Sequence, residues 1–217
     1  MTAVGERVPA LRELSEEDFA ARYGCDRFTA TVLGNRFDYL VEHMSVRLLT
    51  GAFSPVLRDF YDLAATISGP PALGYAVPAA SNGIVLMAGT TLDAVRNTVE
   101  EFGPGRLGPG DVLVANDPYR TGNHNNDLLF VRPVFHEGEI AAFVNLNAHQ
   151  LDMGGVVPGG FSCTKRSVYE NGLVIAPQRI VHAGEPVEPV WHLIFDNVRM
   201  GEVIQPCLLY TSDAADE

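Results

Sequence analysis

The chain has 217 residues, 47% hydrophobic and 19% charged, which is ample for one domain with a real core. Its net charge of −12 excludes the basic footprint that a nucleic-acid or anionic-membrane surface needs. The three cysteines, Cys25, Cys163 and Cys207, form neither a CxxC pair nor an even-numbered framework, which argues against a disulfide scaffold or a Cys-type zinc site.

In chain order, Ser15 followed by Glu16-Glu17-Asp18 caps a first helix, and Gly24 stops it. A second, longer helix is predicted from Asp26 to Leu49. Phe28, Val32, Leu33, Phe37, Leu40, Met44 and Leu48 recur there at helical spacing and form one apolar stripe, expected to be core. Strands are expected at Asp62–Ile67 and, after an Asn82-Gly83 turn, at Ile84–Met87. Thr91 then caps a helix with Leu92, Val95, Val99 and Phe102 facing inward, ended by Gly103. Asp111–Ala115 reads as a strand and Asn116–Asn126 as a polar loop, within which Asn116-Asp117-Pro118 fits an Asx-turn or a site wall. Leu128–Phe135 and Ile140–Asn147 are strands joined by a tight turn. The pairs Gly154-Gly155 and Gly159-Gly160 mark a loop of unusual backbone freedom, and a last helix spans Pro189–Met200. Helices first and antiparallel strands after predict an α+β fold. The N-terminus has no apolar signal region, and no apolar run reaches spanning length, so a cytoplasmic protein with no membrane contact is expected.

The last residues, Cys207–Glu217, read CLLYTSDAADE and resemble the conceptual translation of a transposase adapter used in sequencing libraries. Residues 207–217 are therefore expected to be a non-native tail, and 1–206 a single truncated domain.

His124, Asp127 and His149 are the candidate metal ligands. Two imidazoles and a carboxylate suit a divalent first-row ion such as Mn, Fe or Zn and leave positions open for substrate. Closing the hairpin at Glu137-Gly138, with His136 opposite Glu139, puts Asp127 opposite Ala148 and His149 opposite Asn126. The hairpin would thus carry His149 to the His-Asn-Asn-Asp segment. Asp152 could orient a histidine or shuttle a proton, or simply cap a loop. Cys163 lies near Lys165 and Arg166 but has no histidine beside it, so a catalytic thiol is not expected.

Gly110–Val144, GDVLVANDPYRTGNHNNDLLFVRPVFHEGEIAAFV, resembles the signature of hydantoinase B-type subunits. So does AHQLDMGGVVPGG at Ala148–Gly160, and ENGLVIAP and LIFDNVR further on fit the same family. The resemblance implies the N-terminal part of a metal-binding subunit from the hydantoinase B / oxoprolinase family, which includes acetone and acetophenone carboxylase subunits. It implies a hetero-oligomer with a hydantoinase A-type partner that uses ATP to phosphorylate a substrate oxygen. The B-type subunit then completes hydrolysis of a small cyclic amide or, in the carboxylases, carbon–carbon bond formation. A third reading is a non-catalytic partner of an ATPase subunit. The carboxylase relatives bind their metal at positions that here are His124, Asp127 and His149, and Asp152 becomes the candidate proton shuttle. Asn123, Asn125-Asn126 and Gln150 depart from the usual pattern at positions where substrate could sit, leaning toward a carboxylase-like or divergent member.

Overall fold

The computed structural model describes residues 10–52, 54–202 and 205; the expected tail, 207–217, lies outside them. Ser15 caps α1 (Glu16–Tyr23) by accepting from the Asp18 amide at 3.0 Å, and Gly24 closes it with φ 70°. Asp26 caps α2 (Arg27–Gly51). There follow α3 (Pro55–Phe60), β1 (Leu63–Ser68), β2 (Ala79–Ala80) and α4 (Val85–Phe102), then β3 (Val112–Ala115) and the one-turn α5 (Pro118–Thr121). The hairpin β4 (Asp127–His136) and β5 (Glu139–His149) comes next, and β6 (Gln178–His182), β7 (Glu185–Pro186) and α6 (Glu188–Phe195) complete the order.

The fold is α+β: helices lead, and the strands form one seven-stranded sheet in the order β2-β1-β5-β4-β3-β6-β7 with neighbouring strands antiparallel. Alternation along the strands divides the core in two. Leu63, Ala65, Leu128, Phe130, Leu146 and Ala148 pack on one face with Val41 and Leu48 of α2 and Ile194 and Phe195 of α6. On the other face Leu129, Val131 and Phe143 pack with Ala94, Val95 and Val99 of α4. No helix among the described residues is long and apolar enough to cross a membrane.

Four sequence expectations change. Ile84–Met87 is not a strand: Ile84 is the N-cap of α4, and Thr91 sits buried inside that helix rather than capping it. The α2 stripe is core only in its C-terminal half. Val41, Ser45 and Leu48 are buried, whereas Phe28 (79%), Leu33, Phe37 and Leu40 are exposed because the helix runs out beyond the sheet that covers its other end. The last helix is shorter than expected, ending at Phe195 with Asp196 as its cap.

Candidate metal centre

The β4–β5 hairpin turns at Glu137 and Gly138, both at positive φ (51° and 86°), with His136 opposite Glu139 as expected. A bulge at Val134/Phe135 shifts the ladder by one residue beyond that point. Asp127 therefore lies directly opposite His149, not Ala148. The bulge puts both side chains on the α4 face of the sheet.

There the three expected ligands converge. His124, Asp127 and His149 each offer a ligand atom, and all three atoms lie within 4.8 Å of one another. His149 Nδ1 is 2.8 Å from Asp127 Oδ1, and both residues are buried. Asp127 is held from the other side by the His124 backbone N–H, which donates to Oδ2 at 3.1 Å. The two imidazoles stack, with centroids 5.6 Å apart and planes 3° from parallel. His124 Nδ1 is buried and has no partner among the described residues. Burial holds the His124 pKa below its ordinary value; the carboxylate of Asp127 opposes this, while His149 and the Lys165 ammonium add to it. A neutral imidazole with a buried, unpaired nitrogen beside a carboxylate is a ligand set for a divalent first-row ion, so the residues present fit that group.

Sequence reasoning missed a fourth member. Asp62 precedes β1, and its carbonyl accepts from the His149 amide at 3.0 Å, extending the ladder by one rung. Its carboxylate Oδ2 stands 3.7 Å from His149 Nδ1. Burial raises its pKa; the His149 charge acts to lower it, and Asp127 adds a repulsion that raises it. Asp127, His149 and Asp62 thus form one row across three strands. The only local signal was an aspartate at the head of an apolar run; the pairing that brings it here spans 87 residues of chain, from 62 to 149.

The glycine loop closes over the rings. Gly159 and Gly160 both have φ 73°, and a Cβ on Gly160 would meet His124 Cε1 at 2.5 Å, so only glycine fits. Phe161 stacks on both imidazoles, 4.9 Å from His124 and 5.7 Å from His149. The Lys165 ammonium donates to the Gly160 carbonyl and to Asn171 Oδ1, latching the loop. Asn116 is fully buried and donates to the Asn125 and Leu173 carbonyls, buttressing the ligand segment. Asp117 forms the expected Asx-turn, accepting from the Tyr119 amide at 3.0 Å to start α5.

Asp152 is placed among different partners. Its carboxylate is wholly buried and accepts from the Arg199 amide and guanidinium at 2.6–3.0 Å and from the Gly154 amide at 3.1 Å. Burial pushes its pKa up, but these hydrogen bonds and the Arg199 charge outweigh that and hold it below the ordinary aspartate value. Cys163 is an exposed free thiol. An apolar groove of about 490 Å³ runs past Tyr119, Tyr169, Leu173 and Asn197, and none of the three ligand residues lines it.

Residues 26–206 match the sequence pattern described as Hydantoinase B/oxoprolinase. Over 81% of its length the chain is 32% identical to an uncharacterized protein of Methanocaldococcus jannaschii, of which it covers 31%. It is 28% identical to the 5-oxoprolinase of Dictyostelium discoideum over 80% of this chain and 13% of that one. It is also 32% identical to the caprolactamase subunit beta of Pseudomonas jessenii, over 54% of this chain and 20% of that one. The chain therefore spans less than a third of the length of these relatives. Its fold is that of the nucleotide-free acetone carboxylase structure, with a TM-score of 0.74 at 21% identity, covering 93% of this chain and 27% of that one. The ATP-dependent caprolactamase of Pseudomonas jessenii superposes with a TM-score of 0.73 at 23% identity, over 88% of this chain and 32% of that one.

Proposed function

The chain belongs to the hydantoinase B/oxoprolinase family, and from that premise we propose that it carries the metal site of an ATP-dependent amidohydrolase acting on cyclic amides. In this reading it completes hydrolysis of an intermediate phosphorylated by a hydantoinase A-type partner subunit. The observation that carries the proposal is the convergence of His124, Asp127 and His149 within 4.8 Å. The relatives named 5-oxoprolinase and caprolactamase support hydrolysis over carboxylation.

His124, Asp127 and His149 would hold the ion, with Asp62 adding a second carboxylate at the rim. A bound divalent ion supplies Lewis acidity toward a substrate oxygen. The protein does the rest by placement. Burial keeps His124 neutral, and the His124 amide fixes the carboxylate of Asp127. Phe161 and the glycine loop cover the imidazoles and limit water around them. Asp152, with every carboxylate lone pair directed at Arg199 or Gly154, anchors that loop, so the shuttle role expected for it gives way to positioning.

The test is metal content and ATP-dependent turnover of the complete complex with His124→Ala. Loss of both supports the proposal; unchanged metal content and turnover would refute it. Incorporation of labelled bicarbonate carbon into the product would replace hydrolysis with carboxylation.

A further inference from the structure

The α4 face of the sheet is a grid whose rows can be read from the register. The first row is Asp127, His149 and Asp62, and the second is Leu129, Asn147 and Ala64. The third is Val131, Asn145 and Thr66. Asn145 and Asn147 are both buried, at 1% and 2% exposure, on β5, the middle strand of these rows. Their surroundings differ. Asn145 donates to the Thr66 hydroxyl at 3.3 Å and to the Ser68 hydroxyl at 2.8 Å, both on the neighbouring strand, and only its Oδ1 is left without a partner among the described residues. Asn147 lies between Leu129 and Ala64, which offer no side-chain polar atom, and neither its Nδ2 nor its Oδ1 has a partner among the described residues.

A buried carboxamide with donor and acceptor both unpaired is destabilising, and an apolar side chain at the same position would avoid that cost. The group stands one row, roughly 7 Å along the strand, from His149, and alternation turns it to the same face. Its carboxamide presents an N–H donor and an oxygen acceptor side by side in one plane.

We infer that Asn147 is a specificity-determining residue that reads the edge of a cyclic amide. The ring holds the amide cis, so its N–H and its oxygen lie on one side. The ring N–H donates to Oδ1, and Nδ2–H donates to the oxygen, giving two parallel hydrogen bonds. An open-chain trans amide cannot present both groups on one edge. A ketone offers only the acceptor, and a product carboxylate would set its charge against Oδ1. This inference rests on the proposed cyclic-amide function and assigns the discrimination of that site to one side chain.

The test is equilibrium binding of 2-piperidone and N-methyl-2-piperidone to the complete metal-loaded complex without ATP, followed by ligand-detected NMR. The wild type is expected to bind 2-piperidone at least tenfold more tightly than its N-methyl analogue, since a site built to pair an N–H rejects the analogue lacking it. Asn147→Leu is expected to lose that preference with metal content unchanged, whereas Asn147→Asp, which keeps the acceptor and loses the donor, is expected to bind 2-piperidone more weakly while still preferring the N–H. The ligand pair tests the idea even where a variant fails to fold. Binding of 2-piperidone with no preference for the N–H, or an undiminished preference in Asn147→Leu, overturns the assignment of Asn147 and leaves the metal reading standing. No binding of either lactam by the wild type overturns both this assignment and the cyclic-amide reading.

Discussion

Gly160 rests against the edge of the His124 imidazole, where a Cβ would come within 2.5 Å of Cε1 and 2.4 Å of Asn126 Oδ1. Gly160→Ala therefore has to displace either the loop or a metal ligand, in a backbone conformation that already disfavours alanine. The expected result is a stability loss of about 1–3 kcal/mol and a metal affinity reduced at least about tenfold, since an outer support of a ligand typically matters by that factor. Chelator competition and thermal melts check it. Wild-type affinity in Gly160→Ala would mean that the loop does not bear on His124.

Removing ligands separates the members of the site. His124→Ala and His149→Ala are expected to abolish stoichiometric metal in the purified complex. Asp62→Asn, whose side chain is the more exposed member at 25%, should retain the ion with weakened affinity. Elemental analysis after dialysis reads both. Equal loss in all three variants would place Asp62 on a par with the other ligands.

Acid stability should depend on two buried aspartates. Burial pushes the Asp111 pKa up, but hydrogen bonds from His182 and from the Gly108 and Ala183 amides, with the Arg179 charge, hold it below 3.8. Asp152 is lowered in the same sense by Arg199 and Gly154. A group whose folded pKa is depressed contributes stability that is fully present above the unfolded value and is lost as pH falls through the folded one. The contribution of these two is thus flat from neutrality to about pH 5 and disappears below about pH 4. Urea titrations across that range should show a steep acid limb that Asp111→Asn and Asp152→Asn each make shallower.

Arg199→Met leaves the Asp152 carboxylate buried without its cation. The Arg199 side chain is 49% exposed, so water replaces part of the lost cation, and a lowered thermal midpoint is the expected outcome. For a positioning residue, Asp152→Asn in the complete complex should lower thermal stability and leave the pH–rate profile where it was. A displaced profile would restore the proton-shuttle role.

The two ends of α2 should respond differently. Leu48→Ala, at the covered end, is expected to cost about 2–5 kcal/mol. Phe37→Ala, at the overhanging end, should stay within about 0.5 kcal/mol in this chain. Chemical denaturation distinguishes them, and a large effect at Phe37 would show that its ring is covered after all.

What the sequence could reveal followed the range of each signal. The Glu137-Gly138 turn fixed the hairpin closely enough to bring His149 to Asp127, and the error of one residue came from the bulge at Val134/Phe135, for which no glycine or proline at the bulge itself gave warning. Helical spacing identified which α2 residues share a face but carried nothing about how far the sheet extends beneath them. Asn82-Gly83 reads locally as a hairpin turn; here Gly83 instead approaches the Leu63 carbonyl so closely that a Cβ would lie 1.9 Å from it, and the chain enters α4. Asp62 and Asn147 were hidden for a related reason, since their significance lies in pairings with distant strands.

The bulged hairpin also bears on how the site comes into being. His124, Asp127 and His149 all fall within one contiguous stretch, 124–149, closed by a tight turn. Closure of so short a loop is entropically cheap and fast compared with joining β1 to β5. During folding, the ion-binding row can form as a local unit, with Asp62 and the covering helix α4 docking onto it afterwards. An ion captured at that early stage would then act as a folding template, selecting the bulged register in which Asp127 faces His149.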